Sequence, residues 1–171
     1  NGRRRQRQMC IRDSLYSKLR PNDLFIESPI GEKDEKLQMS IYDDNSASSC
    51  DQETQQRYDS KFKKLASKEI VCTPLDQVLE NFSLPTSSSI PLVSIDIEGL
   101  DYKVLNHILN KSNYIFDLIV IEDKGLVLSD INSDKSSEIS KLLYKKDYVL
   151  IAKTPLNLSL IHISEPTRQS L

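Results

Sequence analysis

The sequence predicts an α/β fold, and three observations carry that prediction. Two dense apolar runs, "PLVSIDI" over 91–97 and "DLIVIE" over 117–122, have the length and β-branched content of buried strands. Between them, "LDYKVLNHILNK" places Val104, Leu105, Ile108 and Leu109 at helical spacing, so one stripe of that helix is apolar. Strand, amphipathic helix and strand in this order form the pattern of a parallel βαβ unit whose strands are buried on both faces.

The remaining elements follow from the same periodicities, in chain order. "DLFIESPI" over 23–30 is a short strand candidate closed by Gly31, and "LQMSIY" over 37–42 alternates with period two. "DDNSASSCDQETQQ" carries too few apolar residues for a core element and reads as a polar connection. "EIVCT" runs into the helix "PLDQVLENF", with Thr73 as the expected N-cap, Pro74 at the first helical position and Leu75, Val78 and Leu79 on one face. "SLPTSSSIP" is a loop by composition. After the central unit, "SEISKLLYKKD" and "YVLIAKT" close the alternation of strands and helices.

The two ends of the chain are set apart by a test that uses only the genetic code. Leu158 to Ile163 can be written CTG TCT CTT ATA CAC ATC. Read as the reverse complement, that string becomes ATG TGT ATA AGA GAC AG, which encodes Met9, Cys10, Ile11, Arg12, Asp13 and the start of Ser14. One short DNA element in opposite orientations is the layout of an insert between adapters, and both strings resemble translated transposon-end adapters. Residues 1–14 and 158–171 are therefore expected to be adapter-derived and to have no place in the core.

Composition is read accordingly. The whole chain carries 23 basic and 25 acidic residues, a balance of −2. The ends hold six of the basic residues and two of the acidic ones, so residues 15–157 keep 17 and 23, a balance of −6. "GRRRQRQ" would otherwise read as a nucleic-acid arm, and without it no nucleic-acid partner is expected. Cys50 and Cys72 lack zinc-like spacing and follow no signal peptide, which implies reduced thiols and a cytoplasmic setting. No apolar run approaches the ~20 residues of a membrane span, so no membrane partner is expected. Residues 15–157 suffice for one ordinary domain, and nothing in them sets an oligomeric state.

In an open α/β sheet the functional crevice lies outside the carboxyl ends of the strands. Both central runs end in acids there. "SIDIEG" carries Asp96 and Glu98, on one side if strand alternation persists that far, and "IVIED" carries Glu122 and Asp123. An acid inside an apolar strand costs desolvation unless something pairs with it, which singles out Asp96. Glu98 and Asp101 have a plainer reading, as acids that favour the N-terminal end of the next helix by charge and capping. Gly99 suits a tight turn from strand to helix under either reading.

The stretch "PLVSIDIEGLDYKVL", with a helix and then "DLIVIE", resembles the FkbM family of S-adenosylmethionine-dependent methyltransferases. "KLRPNDLFIESPIG", "VCTPLDQVL" and "YKKDYVLIAKTPLN" extend the resemblance across 15–157. It implies a Rossmann-like class I methyltransferase sheet. The family's first strand with its Asp-Val-Gly-[AS]-Asn-like loop, and its second strand with a terminal acid, have no counterpart here. The resemblance thus implies a partial domain over 15–157 that lacks the first two strands and the main cofactor loop, and a fragment that is inactive alone. For the intact protein it implies S-adenosylmethionine as cofactor and O-methylation of a sugar or other small hydroxylated metabolite. Asp96 is then the candidate base and Glu98 the residue that orients the acceptor, with Gly99, Glu122 and Asp123 as further acceptor-side candidates. In the family order the missing strands lie between "DLFIESPI" and "PLVSIDI", so these two stretches are expected to part.

Other chemistries use the same residue types. Paired acids can hold a divalent metal through hard oxygen ligands, within this reading or in a metal-dependent hydrolase. A hydrolase site usually recruits histidines as well, and the interior offers only His107, which falls beside the apolar stripe and reads as a half-buried surface residue. A non-catalytic interaction module, permitted by the acidic balance and the long polar stretch, is the remaining alternative.

Overall fold

Seven strands and four helices form among the residues that the computed structural model describes, which are 19, 21–23, 26, 28–44, 47–82, 89–123, 137–154 and 157–163. Strands β1 (Ile30–Gly31), β2 (Glu35–Tyr42) and β3 (Lys64–Pro74) make one sheet in the order β1-β3-β2. Strands β4 (Ser89–Ile95), β5 (Ile115–Glu122), β6 (Tyr148–Lys153) and β7 (Asn157–His162) make a second in the order β4-β5-β7-β6. The helices are α1 (Gln52–Asp59), α2 (Leu75–Glu80), α3 (Asp101–Lys111) and α4 (Glu138–Tyr144). The class is α/β with mixed sheets.

The predicted βαβ unit is β4, α3 and β5, with the strands parallel and Ile95 opposite Ile121. Helix α3 buries Val104, Leu105 and Ile108, the stripe its sequence marks, while Leu109 is half-buried. Phe116 and Ile119 of β5 are both buried, and strand alternation puts them on opposite faces, so β5 is covered on both sides. β4 differs from expectation. Only Ile95 of this strand is buried and Leu92 is 54% exposed, because β4 is an edge strand paired with β5 alone among the described strands. Ile139 and Leu143 of α4 join the same core.

The expectation that residues 158–171 have no place in the core is corrected for Leu158 to His162, while 164–171 lie outside the described residues. β7 lies between β5 and β6, antiparallel to both, and Leu158 and Leu160 are fully buried. The physical reason is visible in the residues: Leu158 and Leu160 alternate with Ser159 and Ile161, and β5 offers an open ladder to such a strand. The corresponding expectation for residues 1–14 lies outside the described residues.

Three local readings also change. Asp51 caps an unexpected helix, α1, by accepting the Thr54 N–H at 2.9 Å, so the polar stretch is not merely a connection. Thr73 belongs to β3 rather than capping α2, which begins after Pro74 with no side-chain cap. Ser89 to Pro91 of the expected loop extend β4, while 83–88 lie outside the described residues. Of "DLFIESPI", Ile30 pairs in parallel with Thr73 of β3, in a different sheet from β4, and Leu24, Phe25 and Glu27 lie outside the described residues.

Candidate functional site

β4 ends at Ile95, so the turn to α3 starts before either of its acids. Asp96 is exposed and Glu98 half-buried, and Glu98 and Gly99 both have positive φ, 51° and 104°. The first residue of α3, Asp101, is buried and folds its carboxylate back over this turn. One oxygen accepts the Ile97 N–H and the other the Gly99 N–H, each at 3.0 Å. Asp101 is thus an acid in the first turn of α3, as read, but it does not cap the helix, whose N-cap Leu100 has no side-chain cap; its carboxylate ties down the preceding turn instead.

The same carboxylate belongs to a trio. Ligand oxygens of Asp96, Asp101 and Glu122 all lie within 4.8 Å of one another, where the ends of β4 and β5 meet the start of α3. Three hard oxygen donors this close suit a divalent cation by donor type. Asp123, next in the chain, is buried. His107 is not part of the group; its Nε2 lies 3.1 Å from an Asp76 carboxylate oxygen and links α3 to α2.

Glu98 faces elsewhere. Its carboxylate accepts the Tyr58 hydroxyl at 2.8 Å and its backbone carbonyl accepts the Ser49 hydroxyl at 2.7 Å. Both donors come from α1 and the residues leading into it. The α1 cap also presses on the turn: a Cβ at Gly99 would lie 2.6 Å from Thr54 Oγ1 and 2.8 Å from Asp51 Cβ. Gly99 is thus required twice, by its φ and by this close approach.

A cleft of about 800 Å³ opens between these parts. Gly99, Asp101 and Glu122 line one side, and Glu35, Cys50, Asp51 and Arg57 are among the residues that line the rest. Burial is the main cause that pushes the Cys50 thiol up to about 11, with the charge of Cys72 adding to it. Of the residues marked in the sequence, Gly99 and Glu122 line the cleft and Asp96 stands beside it in the trio, whereas Glu98 and Asp123 are not among its described lining residues.

The profile of the methyltransferase FkbM domain matches residues 10–150. The chain belongs to the FkbM methyltransferase family. No curated protein and no solved structure matches it. For an FkbM domain the usual methyl donor is S-adenosylmethionine, and a backbone cradle for such a group commonly needs glycine. The two described glycines do not supply one, since the open side of Gly31 faces Cys72 Cβ at 2.7 Å and that of Gly99 faces the α1 cap. No described helix is long and apolar enough to cross a membrane.

Sequence reasoning missed Ser49, Asp51, Thr54 and Tyr58. A signal for α1 was present: Asp51 before Gln-Glu-Thr, with acidic Glu53 in the first turn and basic Arg57 in the last, has the polarity of a capped helix. Nothing in the local pattern points Tyr58 at Glu98, which lies 40 positions away.

Proposed function

We propose that this FkbM domain carries the acceptor side of an S-adenosylmethionine-dependent O-methyltransferase that acts on a sugar or other small hydroxylated metabolite. The observation that carries the reading is the grouping of Asp96, Asp101 and Glu122 at the carboxyl ends of β4 and β5, on an open cleft. A hydroxyl is mostly protonated at neutral pH, and a carboxylate within reach can take its proton as the oxygen reacts. Asp96, the exposed member of the trio, has that role in this reading; Glu98, expected to orient the acceptor, turns its carboxylate to Tyr58 and is not among the described cleft-lining residues. Asp101, already engaged by two backbone N–H groups, maintains the turn.

β1 pairs in a different sheet from β4. That separation supports reading the chain as a Rossmann-like methyltransferase sheet without its first two strands. Inactivity of residues 1–171 alone is part of this proposal; of the described glycines, Gly31 and Gly99, neither leaves a cradle for the methyl donor. The trio also supports a subsidiary reading, a divalent cation held at the acceptor side.

The test is transfer of a labelled methyl group from S-adenosylmethionine to a panel of hydroxylated acceptors. It compares this chain, the form extended upstream in its gene, and Asp96→Asn in that form. Turnover is expected from the extended form alone, and Asp96→Asn should lower its rate by roughly 10²- to 10⁴-fold with cofactor affinity little changed. Turnover by the 171-residue chain would overturn the proposed inactivity. An unchanged rate in Asp96→Asn would remove Asp96 as base.

A further inference from the structure

Helix α3 buries Asp101, Val104, Leu105 and Ile108, and that stripe sets how it lies against the sheet. Tyr102, the second residue of the helix, is off the stripe and 37% exposed, so the packing of α3 does not call for an aromatic there. Helix propensity does not call for one either, since tyrosine is a weaker helix former than alanine, lysine or glutamate. Of the large apolar side chains that stay exposed among the described residues, Tyr102 alone lines the cleft.

Its surroundings suit one kind of ligand. Tyr102 follows Asp101, whose carboxylate belongs to the trio, and it carries the single aromatic ring among the described residues that line the cleft. Charged groups predominate around it, among them Glu35, Glu122, Glu138, Arg57 and Lys103. A flat phenol would need apolar walls on both of its faces. A pyranose differs, because one face is a patch of C–H groups while its rim carries hydroxyls that need donors and acceptors. One ring set among carboxylates and cations matches that division, with apolar contact on one side and hydrogen bonds around the edge.

We propose that Tyr102 is the platform for the acceptor: its ring stacks on the C–H face of a pyranose whose hydroxyl edge meets the polar groups of the cleft, so the acceptor is a cyclic sugar rather than an acyclic polyol. The inference rests on reading this cleft as the acceptor side. A cyclic sugar brings its apolar face preformed, whereas an acyclic polyol must first be ordered to present one. A stacking contact of this kind holds ground state and transition state alike, so it acts on binding and leaves the chemical step to the acids.

Tyr102→Leu keeps apolar bulk and removes the flat ring, while Tyr102→Phe keeps the ring and removes the hydroxyl. In the 171-residue chain, a panel of methyl pyranosides titrated by NMR should shift the Tyr102 ring protons. Tyr102→Leu should weaken that binding about tenfold, and Tyr102→Phe should stay within about twofold of wild type. Hexitols of matching configuration should behave alike in all three chains, whereas a merely structural role would weaken both classes of ligand together. In the upstream-extended form, Tyr102→Leu should raise the KM of a pyranose acceptor about tenfold, with kcat within about twofold and the cofactor KM unchanged. Ring protons that no pyranoside shifts, equal losses for pyranosides and hexitols, or Tyr102→Leu equal to wild type overturn the proposal. If pyranosides bind through Tyr102 but the extended form transfers no methyl group to them, the acceptor reading fails and the sugar platform stands.

Discussion

The four-stranded sheet is closed by apolar side chains, whereas the three-stranded sheet meets its helix α1 largely through hydroxyls, carboxylates and amides. In the first, Phe116, Ile119, Ile121, Leu158 and Leu160 pack with Leu105, Ile108 and Leu143. In the second, the Tyr42 hydroxyl reaches the Gln55 carbonyl and the Asp59 carboxylate, and Gln55 donates to the carbonyls of Gln38 and Ser49. Apolar packing is non-directional and supplies most of the stability, while hydrogen bonds add less but fix orientation. One region supports the molecule, and the other aims residues at the turn between β4 and α3.

Substitutions can break that division in order of effect. Phe116→Ala should be the most damaging, at about 3–5 kcal/mol, because it leaves a cavity in the interior of the four-stranded sheet; a urea midpoint near that of wild type would contradict the assignment of the core. Gly99→Ala should cost about 1–3 kcal/mol, since alanine is strained at a φ of 104° and collides with Thr54. Its cost should shrink when combined with Thr54→Gly, which removes the nearer of the two clashes and leaves that with Asp51 Cβ, and strict additivity would show that the Thr54 collision is not felt. Asp51→Ala removes the α1 cap and should cost about 1 kcal/mol by thermal or urea unfolding.

The smallest effect at neutral pH sharpens the comparison from the cleft side. A thiol ordinarily ionises near 9, and burial raises Cys50 to about 11. Between those values the native state keeps a proton that the unfolded chain has released, so stability falls as pH rises from 9 toward 11 and is unaffected below 9. Cys72 is raised as well, chiefly by burial, and adds to the same slope. Urea midpoints across this range should fall less steeply in Cys50→Ser than in wild type; parallel slopes would mean that Cys50 is not held protonated.

The central part of the fold was legible because its signal is local. The stripe of α3 and the apolar run of β5 follow from periodicity alone, and so do the acids where β4 and β5 end. β7 was hidden for a different reason: its residues were set aside by their coding pattern, although Leu158 and Leu160 already alternate as a strand face should. α1 was missed because it carries no apolar stripe; caps and contacts with Tyr42, Gln38 and Glu98 hold it, and those partners are distant in sequence. In the site, strand alternation could not be carried past Ile95. Positive φ at Glu98 and Gly99 sends the turn to α1, and Asp101 joins Asp96 and Glu122 instead of serving its helix alone.

The place of β7 also bears on how this chain can fold as it is synthesised. β6 precedes β7 in sequence but reaches β5 only through it, since the order is β4-β5-β7-β6. Until β7 is available, β5 can pair on its β4 side but its other ladder is open. An uncovered apolar ladder of that kind is the species most open to mispairing. Emergence of Asn157 to His162 lets β7 pair with both neighbours, so one short segment completes two ladders and joins β6 to the rest of the sheet.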